Sequence, residues 1–100
     1  MKLNGIELEE ERIAALCRRS NVRELAVFGS ALRDDFRPDS DLDLLVTFQP
    51  AAKVGFIAFA RLQRELSALF GRKVDLVPKA GLKPLIRDEI ISAARVLYAA

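Results

Sequence analysis

One hundred residues, 51% of them apolar, can close one hydrophobic core of modest stability, on the order of 5–10 kcal/mol, and a second domain does not fit. Sixteen basic against fourteen acidic residues give a net charge of +2 scattered along the chain, which makes nucleic acid a poor first choice of partner. A single cysteine, Cys17, and no histidine exclude disulfide frameworks, Cys/His zinc sites and a histidine general base, so any catalysis rests on carboxylates.

The first residues do not read as a leader peptide. The longest uninterrupted apolar stretch, Val54 to Ala60 with Gly55 inside it, is far short of the roughly 20 residues a bilayer requires, so a soluble, cytoplasmic protein is expected. From about Glu7 to Ser20 the chain is predicted to be helical, with Glu9, Glu10 and Glu11 early, Arg18 and Arg19 late, and a stripe of Leu8, Ile13, Leu16 and Cys17. Residues 23–28 read as a short buried strand ending at Gly29, after which Ser30 to about Asp35 can form a helical turn that Pro38 breaks. Residues 41–48 alternate: Leu42, Leu44, Val46 and Phe48 face one side, and Asp41, Asp43, Leu45 and Thr47 the other.

A helix over 56–70 carries Phe59, Leu62, Leu66, Leu69 and Phe70 and stops at Gly71. A third strand, Lys73 to Val77, ends at Pro78, and Pro84 opens a last helix with Ile86, Ile90, Ala94 and Leu97 at helical steps. Leu85 and Ile91 widen that helix's apolar face, leaving surface for a partner or a second copy, or for the core. The order α-β-α-β-α-β-α indicates an α/β layer, and spacing leaves open whether the first two strands run parallel or antiparallel.

Asp41 and Asp43, two apart at the start of a strand, project from one face, and ten residues separate Ser30 from Asp41. Two like charges this close repel unless a cation neutralises them, and magnesium is usually held by one or two carboxylates together with phosphate oxygens. Gly29 and Ser30 offer backbone N–H groups, close approach and a hydroxyl to a phosphate, or serve simply as a tight turn. Arg33 adds a positive contact to a triphosphate, or pairs with Asp34, Asp35 or a glutamate. Asp75 interrupts an apolar strand; it completes a triad with the pair if the strands are neighbours, or faces outward on an edge. Pro38-Asp39-Ser40 reads as a turn, and Phe36 as a contact for base or partner or as a core residue.

Together these residues resemble the minimal nucleotidyltransferases of the DNA polymerase beta superfamily, whose signature is Gly-Ser, ten residues, then Asp-x-Asp; Gly29, Ser30, Asp41 and Asp43 match it. The resemblance implies a nucleotidyltransferase fold, a small mixed sheet of about three to four strands flanked by helices. It also implies that Gly29 and Ser30 hold nucleotide phosphates, that Asp41 and Asp43 bind catalytic magnesium, two ions in all, and that Asp75 is the third catalytic and metal-binding carboxylate. Small proteins of this type are antitoxins that transfer AMP from ATP to a tyrosine hydroxyl of a HEPN ribonuclease toxin. A binding antitoxin without activity and an enzyme acting on a small molecule such as an aminoglycoside are the alternatives. One departure is Ala31, where many relatives carry a basic or aromatic residue, which implies weaker nucleotide affinity.

Overall fold

The computed structural model describes residues 2–34 and 36–100. Two short strands, β1 (Lys2–Leu3) and β2 (Ile6–Glu7), form an antiparallel hairpin. Its turn is Asn4-Gly5, both with positive φ (49° and 87°), the pairing that suits a two-residue hairpin and the signal that a helix starting at Glu7 overlooks. Helix α1 therefore begins at Glu10 and runs to Arg19, with acids in its first turn and arginines in its last. Leu8 lies before the helix and is buried all the same.

The remaining strands, β3 (Val22–Phe28), β4 (Leu42–Phe48), β5 (Val74–Pro78) and β6 (Arg95–Ala99), build one sheet in the order β5-β4-β3-β6. β3 is antiparallel to both β4 and β6, which settles the direction of the first two predicted strands, and β4 is parallel to β5. Leu25 and Val27, Leu42, Leu44 and Val46, and Val74 and Leu76 turn toward Ile13, Leu16 and Cys17 of α1 and Leu62 and Leu66 of helix α2 (Phe56–Phe70). Burial pushes the Cys17 thiol up to about 12, so the lone cysteine is an inert core residue.

The chain beyond Pro84 departs from the expected pattern. Helix α3 (Pro84–Ala93) buries none of its residues, with Leu85 97% exposed, and the chain turns extended at Ala94. Ala94 and Leu97, assigned to one helical stripe with Ile86 and Ile90, lie outside the helix, and Leu97 belongs to β6. The open edge of β3 supplies backbone partners to a run rich in β-branched and aromatic residues, Arg95-Val-Leu-Tyr-Ala, and this outweighs a periodicity that spans the junction. The expected mixed sheet flanked by helices is present, with strands added at both ends. Among the described residues no helix is long and apolar enough to cross a membrane.

Helix α2 also closes the outer edge of β5. Ser67 Oγ accepts the Val74 N–H (3.1 Å) and Gln63 Oε1 accepts the Leu76 N–H (3.1 Å). Residues 63 and 67 share a helix face, as 74 and 76 share a strand edge, so one pair of polar side chains satisfies the backbone on either side of Asp75. Gly71 ends α2 at φ 67°, where a residue with a Cβ would be strained. Ser67→Ala should lower the unfolding free energy by about 1–2 kcal/mol, read from urea denaturation, because the Val74 N–H loses its acceptor; an unchanged midpoint would mean that water replaces Ser67 at no cost.

Candidate functional site

β3 and β4 bring the two halves of the motif together. Phe28, the last residue of β3, lies opposite Asp43, so the chain leaves the sheet at Gly29 directly beside that carboxylate. Gly29 has φ 72° and opens a 3-10 turn, Gly29–Leu32. The positive φ favours glycine, and a Cβ at position 29 would stand 2.5 Å from Asp43 Oδ2, so that carboxylate would have to move aside. The Ser30 backbone N–H donates to the Asp43 carboxylate. Ala31, the departure from the family pattern, is buried in the core, where its size is a matter of packing.

The parallel pairing of β4 with β5 places Asp75 in register with Asp43, on strands about 4.8 Å apart. The sequence left it open whether Asp75 joins the acid pair or faces away; it is exposed and stands on the same face of the sheet as Asp43, opposite the core. Asp41, just before β4, lies two residues from Asp43 toward the same end of the strand. Burial, then Asp75, then Asp41 raise the Asp43 pKa above the usual carboxylate range, while the Ser30 N–H and the Arg33 charge oppose the rise. Arg33 is thus electrostatically coupled to Asp43.

Lys73 was missed. Its Nζ lies 3.7 Å from Asp41 Oδ2, and its carbonyl accepts the Leu42 N–H at 2.9 Å. The available signal was the spacing itself: Lys73-x-Asp75 repeats Asp41-x-Asp43, and parallel strands aligned at the second acid are also aligned at the first position. Pro38 to Ser40 form the expected turn, with the Arg37 N–H on Ser40 Oγ (3.2 Å) and the Ser40 N–H on the Arg37 carbonyl (3.0 Å). Phe36 is partly buried against the core with the Arg72 guanidinium 4.6 Å above its ring, so its face is already covered. Asp35, one of the acids weighed as a partner for Arg33, lies outside the described residues.

The result is three carboxylates at the end of two adjacent strands, beside the Gly29-Ser30 turn whose serine N–H is held by Asp43. Among the described residues no three acidic, histidine or cysteine side chains stand close enough to close on a metal ion by themselves. The donors are all hard oxygens, the kind that suits magnesium, which is commonly held by a few carboxylates with phosphate oxygens and water.

Comparison with known proteins gives the family and the fold. A family model described as nucleotidyltransferase domain matches residues 10–97. The protein adenylyltransferase MntA of Thermococcus cleftensis is 41% identical over 73 residues, 73% of this chain and 72% of that protein. A solved structure provisionally described as a minimal nucleotidyltransferase superposes with a TM-score of 0.71 at 39% identity, covering 85% of each chain. A complex of a tri-AMPylated Shewanella oneidensis HEPN toxin with an MNT antitoxin shares the fold, with a TM-score of 0.64 at 22% identity over 91% of this chain and 70% of that one.

The raised Asp43 pKa sets a pH dependence. The folded protein holds this proton more tightly than the unfolded chain, so the associated stability is fully present below the unfolded pKa and is lost as pH rises through the raised folded value. Asp43→Asn cannot ionise and escapes that loss. Its unfolding free energy relative to the wild type should therefore climb as pH goes from about 4 to about 7. A difference that stays flat across parallel urea titrations would show that neither burial nor the neighbouring acids raise the Asp43 pKa in the folded state.

Proposed function

The chain belongs to the nucleotidyltransferase domain family, and on that premise we propose that it is a magnesium-dependent protein adenylyltransferase acting as an antitoxin. It passes AMP from ATP to a hydroxyl, a tyrosine foremost, of a HEPN-type toxin. The observation that carries this reading is the register of Asp43 with Asp75, which sets a third carboxylate beside the Asp41–Asp43 pair and opposite the Gly29-Ser30 turn. The naming of the Thermococcus relative as a protein adenylyltransferase, and of the Shewanella complex as an AMPylated HEPN toxin with its antitoxin, supports the choice of nucleotide and acceptor.

In this reading the phosphates approach over Gly29, which has no side chain, and take the Ser30 hydroxyl as a donor, while Arg33 contributes positive charge at the same edge. The acceptor hydroxyl oxygen forms a bond to the α-phosphorus while the bond to the β-phosphate oxygen breaks, so AMP is transferred and pyrophosphate leaves. Asp75, exposed beside Asp43, takes the hydroxyl proton. Asp41, Asp43 and Asp75 would hold magnesium, which when bound neutralises both the carboxylates and the phosphate oxygens. Lys73, whose ammonium stands 3.7 Å from Asp41, would supply positive charge at the same edge of the site.

A partner protein also fits the apolar surface that the fold leaves uncovered. Leu85 and Ile86 on α3, and Phe56 and Ile57 at the start of α2, are exposed.

Incubation with magnesium, α-labelled ATP and a HEPN-type toxin should add an AMP mass to that toxin, and Asp43→Asn should reduce transfer by about a hundredfold or more while retaining the complex. A tight complex without label in the wild type would replace this reading with that of a binding antitoxin. Ser30→Ala should weaken ATP binding by about 1 kcal/mol, measured by calorimetry; unchanged affinity would leave Ser30 a turn residue alone.

A further inference from the structure

The segment from Ala31 to Ser40 joins the Gly29-Ser30 turn to Asp41, and its described residues include no strand or α-helix. Side-chain donors from two distant parts of the chain hold it. At one end, Asn4 Nδ2 donates to the Ala31 carbonyl (3.2 Å) and to the Arg33 carbonyl (2.8 Å). At the other, Arg72 Nη1 donates to the Ser40 carbonyl (3.1 Å) and, more weakly, to the Arg37 carbonyl (3.4 Å), while its guanidinium lies over the Phe36 ring.

Both donors are placed by features with a clear physical origin. Asn4 occupies the left-handed turn of the β1–β2 hairpin, a conformation that asparagine tolerates better than most residues. Arg72 follows the glycine that ends α2 and precedes Lys73, whose ammonium faces Asp41. An open cleft of about 230 Å³ lined by Asn4, Gly5, Phe36, Arg37, Pro38 and Arg72 lies between them, while Ala31 and Phe36 of the segment pack against the core.

We propose that Asn4 and Arg72 are positioning residues: they fix the segment between Ser30 and Asp41 from outside and so set the spacing of the phosphate-binding turn and the acids. The idea rests on the nucleotidyltransferase reading for its consequence, though not for the contacts. Asn4→Gly keeps the left-handed turn and removes the donors. Arg72→Met keeps the aliphatic stem, and Arg72→Lys keeps the charge without the planar fork.

Backbone hydrogen exchange of the peptide spanning residues 31–40 should accelerate severalfold in Asn4→Gly and Arg72→Met. Affinity for magnesium-ATP should fall about fivefold in each, as expected for one hydrogen bond's worth of positioning. Arg72→Lys should resemble Arg72→Met. Full recovery of ATP affinity in Arg72→Lys would show that charge alone matters there, and would overturn the positioning role of Arg72. Unchanged exchange in both variants, or faster exchange with wild-type ATP affinity, would overturn the proposal as a whole. A wild type that binds no magnesium-ATP would instead remove the transferase reading, and the exchange rates would still decide whether the two side chains hold the segment.

Discussion

Asp43 Oδ2 occupies space that any side chain at position 29 would need, and the local structure at this end of the sheet follows from that contact. The left-handed φ of 72° favours glycine there, the Asp43 carboxylate fills the space beside it, and the Ser30 N–H reaches that carboxylate. Because Phe28 and Asp43 are cross-strand neighbours, the contact is a consequence of the β3–β4 register. A slip of one residue would turn Asp43 into the apolar core and Leu44 out of it, so core and proposed site are fixed by the same alignment.

Electrostatics at this point works against the fold. Asp75 and Asp41 both raise the Asp43 pKa, and burial does so more strongly than either. A protein selected for stability alone has no use for such an arrangement, since acids at neighbouring positions repel. Partial compensation comes from the Ser30 N–H, from Arg33 and from the contact of Lys73 with Asp41. The remaining imbalance is what a bound cation would relieve, and it links the geometry to the proposed chemistry.

The sheet separates packing from chemistry. α1 and α2 cover the face that carries Leu25, Leu44, Val46 and Leu76, and the acids emerge on the opposite face. α2 does more than cover: Gln63 and Ser67 satisfy the edge of β5 on both sides of Asp75, giving that strand a fixed place without a further strand beside it. α3 contributes nothing to the core, and its exposed leucine and isoleucine lie on a surface that the proposed partner could cover.

The sequence by itself determined the elements whose signals are local. Helix α2 was legible to the residue, from Phe56 to Phe70, because an apolar stripe, a preceding glycine and a terminal glycine all agree. The alternation over 42–48 gave β4 and its two faces, and the spacing of Gly29-Ser30 to Asp41-x-Asp43 marked the proposed site. The Asn4-Gly5 hairpin was also written locally and was overlooked in favour of a longer helix.

Only the tertiary structure decided what depends on residues far apart in the chain. The antiparallel direction of β3 and β4, the parallel register that sets Asp75 against Asp43, and the approach of Lys73, Asn4 and Arg72 all arise from pairings across 15 or more residues. The C-terminal residues show the same physics most directly. Arg95 to Ala99 continue a helical spacing in sequence but become a strand, because the unpaired edge of β3 offers their backbone hydrogen bonds that no local pattern can reveal.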